Sequence, residues 1–225
     1  RHGKSLFCSV FFPAWIWTNF PQGRVISASH TDSLVLDLSE RSRDVIKSER
    51  YQELFPWIRF APAQDSKSNF RNTLGGERLT ATVAGKSPIG RHGHLIIIDD
   101  QLDPKKVLSE LELKSASDFM TNHIAGRKVD KAVTVKIIVQ QRLGLREYTE
   151  VMLELSKTEG AAPVRHICLP SDLEPLPGGL WDGSDVLPPE LAGRYIDGMM
   201  DHVRLSSSIL IQERAGRAHR FATQF

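Results

Sequence analysis

The chain opens on Arg1-His2-Gly3-Lys4-Ser5, and a later apolar run, Leu95-Ile96-Ile97-Ile98, ends in two acids, Asp99 and Asp100. These residue types handle phosphate and a divalent cation. A glycine admits close backbone approach, a lysine reaches the β- and γ-phosphates, and a serine hydroxyl binds Mg²⁺. The N-terminus of the helix that follows adds its dipole. At the strand tip, Asp99 would hold Mg²⁺, directly or through water, and Asp100 would polarise the attacking water. Each motif alone has an ordinary explanation. Gly-Lys-Ser is a common tripeptide, and strand-end acids often cap the next helix. Their order joins them into one expected nucleotide site. Gly3, Lys4 and Ser5 bind ATP, Ser5 and Asp99 hold Mg²⁺, and Asp100 is catalytic.

Two further groups stand near these motifs. Gln140-Gln141-Arg142 ends the strand after the acid pair. A polar side chain there can sense the γ-phosphate, or it simply ends a strand in solvent, so Gln140 and Gln141 join the ATP set only as candidates. Lys86, Arg91, His92 and His94 lie in a glycine-broken basic loop ahead of the acidic strand. Lys86 and Arg91 are candidates for DNA phosphates or for the nucleotide of a neighbouring subunit. A solvated basic loop explains any one of them equally well. No cysteine stands at ligand spacing from the two histidines, which argues against a metal site built on them. The four tryptophans, Trp15, Trp17, Trp57 and Trp181, are assigned to packing.

Positioning these groups requires strands that alternate with helices. A helix is predicted from Ser5 to about Phe12, kinked or ended at Pro13, with a second piece reaching Thr18. A strand follows at Arg24–Ser29, then a helix from about Ser33 to Lys47 capped within His30-Thr31-Asp32. Tyr51–Phe55 is a short helical segment. Arg78–Val83 alternates as a strand, and Leu95–Asp100 has the continuous apolar character of a central parallel strand. Pro104 suits a helix start. A helix near Ser117–Ile124, a strand at Val133–Gln141, a helix near Tyr148–Lys157 and a strand at Val164–Leu169 complete the series. Residues 170–189 are rich in Pro, Gly and Asp and are expected to form a surface connection, followed by a helix over Pro189–Val203. The alternation argues for a mostly parallel, helix-covered sheet.

Composition is compatible with this. The chain has 225 residues, 40% hydrophobic and 25% charged, which suits a packed core rather than disorder. A net charge of +2 neither requires nor excludes a nucleic-acid partner. Cys8 and Cys168 fit no metal or redox spacing and are expected to be buried thiols of a cytosolic protein. No run reaches the ~20 apolar residues of a membrane span. The chain starts at Arg1, inside the phosphate loop, and both ends are expected to be cut.

In this order the motifs resemble the large subunit of tailed-phage terminases. Arg1 to Ser5 looks like the end of that family's divergent Walker A, and Phe11-Phe12-Pro13-Ala14-Trp15 is similar to the helix after it. Arg24–Ser29, Arg43, Tyr51, Phe55-Pro56, Gly75-Gly76-Glu77-Arg78, Gly85, Gly90-Arg91, Ser109, Gln140-Gln141-Arg142-Leu143 and His166–Pro170 follow in the family's order. The sequence departs at Gly144-Leu145-Arg146-Glu147, where the family often has a His and then an Asp.

The resemblance implies an α/β fold: a mostly parallel RecA-like P-loop sheet of the ASCE type, flanked by helices, with its first strand missing. Residues 1–170 would be an ATPase domain. Residues 171–225 would be a linker or helical region leading towards a missing nuclease domain. Arg1 would steady the γ-phosphate. The implied function is an Mg²⁺-dependent ATPase motor that packages double-stranded viral DNA into proheads. Portal protein and small terminase subunit would be its partners. A homo-oligomeric ring on the prohead, in the cytoplasm of an infected bacterium, is implied as well, and no membrane. Another DNA-dependent ATPase, such as a helicase-like translocase, and a non-catalytic nucleotide-binding assembly module stay open.

Overall fold

A computed structural model describes residues 3–83, 90–103, 109–140, 148–212 and 215. The chain starts with a wide π-type turn, Leu6–Phe11, which runs into α1 (Phe12–Asn19) with Pro13 in its first turn. Proline is tolerated there because the first N–H groups of a helix have no partner inside it. β1 (Arg24–Ser29), α2 (Asp32–Lys47) and α3 (Glu49–Leu54) follow. The Thr31 hydroxyl caps α2 by accepting from Leu34 N at 3.4 Å. Next come β2 (Phe60–Asp65), β3 (Asn69–Asn72), β4 (Glu77–Thr82) and β5 (Leu95–Asp99). α4 (Glu110–Asp118) passes into a second π-type turn, Phe119–Ile124, ahead of β6 (Val135–Val139) and α5 (Tyr148–Ser156).

Six strands form one sheet in the order β2-β3-β4-β1-β5-β6. β4, β1, β5 and β6 run parallel, and the β2–β3 hairpin joins β4 antiparallel. This is an α/β domain with a mostly parallel sheet flanked by helices. Ile96, Ile97 and Ile98 of β5 are all 0% exposed. Side chains alternate between faces along a strand, so both faces of β5 are covered. Each such isoleucine contributes about 1.5–3 kcal/mol of burial. On one face Phe12 and Ile16 pack on Val25, Leu95 and Ile97. Beside them a second cluster joins Ala14 and Trp17 to Ile46, Tyr51, Ile58 and Phe70.

The hairpin is an addition to the expected series. Its residues, among them Pro62, Asp65, Ser66, Lys67 and Asn69, lack the apolar alternation that marks a strand. Tertiary contacts fix it instead. Asn72 donates to the Pro21 carbonyl at 2.7 Å and accepts from Leu74 N and Gly76 N, each at 2.9 Å. A Cβ at Gly76 would collide with the Pro21 carbonyl and the Trp17 indole, so only glycine fits there.

Internal contacts divide the chain into two units, Arg1–Gln140 and Gln141–Phe225. Within the second, Glu174–Leu176 (β7) and Leu180–Asp182 (β8) form a hairpin, where a plain surface connection was expected. Gly178 and Gly179 turn it at φ 83° and 75°. The expected strand at Val164–Leu169 is not formed. Only Cys168 bridges, to Leu187. Pro163 and Pro170 bracket the segment and cannot donate to a ladder, and Ile167 is 60% exposed, so it lacks the burial of an inner strand. The expected helix over Pro189–Val203 shrinks to a 3₁₀ turn at Pro189–Arg194. Asp197 and Gly198 take φ of 50° and 72°, which ends any helix. Met199 and Leu210, with Leu205, make this unit's small core. Neither Cys8 nor Cys168 forms a disulfide among the described residues, and both are only partly buried. No described helix is long and apolar enough to cross a membrane.

Candidate functional site

Parallel strands bring their carboxyl ends to one edge, and in open α/β sheets that edge is where ligands bind. Here β5 delivers Asp99 to it, β6 delivers Gln140, and the first helical turn delivers Lys4 and Ser5. Gly3, at φ 73°, takes a left-handed conformation that admits glycine without strain. Its carbonyl accepts the first turn bond, from Phe7 N at 2.9 Å.

Asp99 is the centre of the arrangement and is 2% exposed. Ser5 Oγ donates to its Oδ1 at 2.9 Å, and Ser9 Oγ donates to its Oδ2 at 2.5 Å. The widened turn closes with Phe12 N bonded to Phe7 O, and π-type turns recur at functional sites. Burial raises the Asp99 carboxyl above the ordinary range. The Ser9 and Ser5 bonds and the Lys4 charge oppose that rise. The same surroundings raise the Cys8 thiol, through burial first and the Asp99 charge second. Lys4 Nζ donates to the Gln140 carbonyl at 3.2 Å, so the ammonium stands at the tip of β6.

Asp100 leaves the strand in a left-handed conformation, φ 46°. Its N–H continues the ladder to Val139 O at 2.8 Å. The next residue, Gln101, is 2% exposed, and both ends of its amide lack a partner among the described residues.

The structure therefore brings Lys4, Ser5, Asp99, Asp100 and Gln140 to one edge of the sheet. Arg91 lies ahead of β5, at the opposite end, where its Nη1 pairs with Glu77 Oε1 at 3.2 Å. Arg1, Lys86 and Gln141 lie outside the described residues, as does Pro104.

Three residues were not singled out from the sequence. Ser9 follows Ser5 by one helical turn, and that spacing was a usable signal. Arg78 sits on an inward position of β4 and is 1% exposed. Its Nη2 donates to the Ser9 carbonyl at 2.7 Å, while Nε and Nη1 have no partner among the described residues. Burial lowers this guanidinium to about 9. His30 was assigned to helix capping, and its Nδ1 instead meets the Asp100 carbonyl at 2.7 Å.

Among the described residues, no three His, Cys, Asp or Glu side chains gather as a metal cluster. A cation at this edge would draw on the adjacent oxygens of Ser5 and Asp99. No protein-family model matches the chain, and no curated protein matches it.

Proposed function

We propose that the chain is an Mg²⁺-dependent ATPase domain, and that it drives double-stranded DNA into a viral prohead. One observation carries the nucleotide half of this reading. Ser5 and Asp99, far apart in sequence, meet at 2.9 Å beside Lys4, at the carboxyl edge of a parallel sheet. On this reading the sheet is of the RecA-like P-loop kind. The packaging half rests on the terminase resemblance. From it come DNA as the translocated partner, a portal protein and small subunit as docking partners, a ring of copies, and the cytoplasm of an infected bacterium as the setting.

Ser5 and Asp99 fit Mg²⁺. It takes oxygen donors, keeps several waters, and is commonly held by one or two carboxylates plus substrate phosphates. When bound, it would neutralise charge on the phosphate oxygens. The residues divide the remaining work. Lys4 exchanges its bond to the Gln140 carbonyl for the β- and γ-phosphates. The Gly3 region and the helix start offer backbone N–H groups and a favourable dipole. Ser9, held from behind by Arg78, keeps the second oxygen of Asp99 turned inward. Asp100 accepts a proton from the attacking water. Gln140 stands where hydrolysis would be felt by β6.

Lys4→Ala tests the reading. Phosphate release and Mg·ATP binding by calorimetry should be measured on the full chain. Turnover is expected to fall by about 10²–10³-fold, the loss typical of removing one preorganised charge-stabilising donor. Turnover equal to that of the unsubstituted chain would remove Lys4 from the site. Tight Mg·ATP binding with no turnover in the unsubstituted chain would favour the non-catalytic module.

A further inference from the structure

Asp100 and Asp197 are the non-glycine residues with positive φ among the described residues. A left-handed aspartate is tolerated but strained, so surrounding contacts must hold it. At Asp100 those contacts are specific. Its N–H is tied to β6 through Val139 O at 2.8 Å. Its carbonyl is tied to the end of β1 by three donors: His30 N at 3.1 Å, His30 Nδ1 at 2.7 Å and Ser29 Oγ at 3.3 Å. A carbonyl only accepts, so His30 carries its proton on Nδ1 in this contact.

The consequence concerns direction. In an extended strand, neighbouring side chains point to opposite faces. Asp99 and Asp100 would then be divided by the sheet. The turn at Asp100 breaks that alternation at the residue where the ladder ends. Asp99 is oriented by its own side-chain bonds to Ser5 and Ser9, and Asp100 by bonds to its backbone on both sides. The shortest of the three carbonyl contacts comes from the His30 ring.

We propose that His30 is a positioning residue for Asp100. By donating from Nδ1 to the Asp100 carbonyl, it holds the left-handed turn and aims the carboxylate at the attacking water. This rests on the ATPase reading for its catalytic consequence, but its conformational claim stands apart from that reading.

The experiment compares the full chain with its His30→Ala and His30→Asn variants. Asparagine keeps an N–H donor on a short side chain. Each protein is assayed for kcat, KM and Mg·ATP affinity, and a crystal structure of each reports φ at Asp100. His30→Ala should lower kcat by about 10–100-fold, the effect of a small misplacement of a reacting group. KM and Mg·ATP affinity should stay unchanged. Its Asp100 should leave the left-handed region, and His30→Asn should restore both kcat and positive φ. An unaltered kcat in His30→Ala would overturn the proposal, as would equal losses in binding and turnover. If His30→Ala does not fold, a folded His30→Asn that keeps positive φ at Asp100 and a kcat near that of the unsubstituted chain supports it. A folded His30→Asn with low kcat overturns it. Absence of ATP turnover in the unsubstituted chain would sink the ATPase reading alone. The structures would still decide the positioning claim, because Asp100 remaining at positive φ in His30→Ala refutes it.

Discussion

The two ends of the parallel sheet carry polar groups of similar kind and use them in opposite ways. At the amino end, Glu77 receives Arg71 at 3.0 Å and Arg91 at 3.2 Å on one oxygen. His94 Nδ1 accepts the Arg24 N–H at 3.0 Å, and the Phe20 ring meets the imidazole edge-on. Burial and the Arg24 charge lower the His94 ring below its ordinary value. These groups close on one another and on the backbone. At the carboxyl end, Asp99 is more deeply buried than Glu77, yet among the described residues its hydrogen bonds come from two hydroxyls and from no guanidinium, with the Lys4 charge nearby. Neutral donors satisfy the geometry of a carboxylate without cancelling its charge. A buried charge left in that state is costly, and a cation, if bound there, would relieve that cost. The contrast separates a structural joint from a site able to receive something.

The largest test of this contrast is Asp99→Asn. Mg²⁺-dependent nucleotide binding should weaken by at least about 10–100-fold, the range for losing even an outer partner of a metal. The fold should move the other way. Burial raises the folded-state pKa of Asp99 above its unfolded value. Between those values the folded chain binds more protons than the unfolded one, so stability falls as pH rises through that window and stays lower above it. Asp99→Asn should therefore melt higher than the unsubstituted chain at neutral pH. The gap should narrow as pH falls through the carboxylate range, as followed by thermal melts. A lower melting temperature at neutral pH would show that Asp99 serves the fold and not a ligand.

Glu77→Gln comes next and addresses the amino end. It should destabilise by about 1 kcal/mol, because both arginines stay partly hydrated, as measured by urea unfolding. ATP turnover should not change. A loss of turnover larger than the loss of stability would erase the distinction between the two ends.

Arg91→Ala should have the smallest effect, within roughly 0.5 kcal/mol of stability, as for an exposed ion-pair partner. It also separates two uses of that side chain. A fall in DNA-stimulated turnover at constant basal turnover, with a shallower salt dependence of DNA binding, would assign Arg91 to DNA phosphates. Unaltered stimulation would leave it as the partner of Glu77 only.

Much of this molecule was legible locally. β1 at Arg24–Ser29 and α2 ending at Lys47 are marked by apolar runs, by capping at Thr31 and by the turn at Pro21-Gln22-Gly23. β5 was legible because Leu95–Ile98 is apolar without interruption, which only a strand covered on both faces requires. Gly3-Lys4-Ser5 and Asp99-Asp100 could be paired because their chemistry is complementary. Other features depend on neighbours distant in the chain. The β2–β3 hairpin has no apolar period of its own and is held by Asn72 and Gly76 against Pro21 and Trp17. Val164–Leu169 looks like a strand from its side chains, but flanking prolines and exposure leave it outside the sheet. Ser9, Arg78 and His30 gain their roles only when β1, β4 and β5 lie side by side beneath the first helix. Their bonds reach across long sequence separations, and no short-range pattern encodes such a meeting. Residue types and periods determined what could be a strand, a cap or a phosphate ligand. Register and packing decided which of those groups share an edge and which are neutralised by a partner.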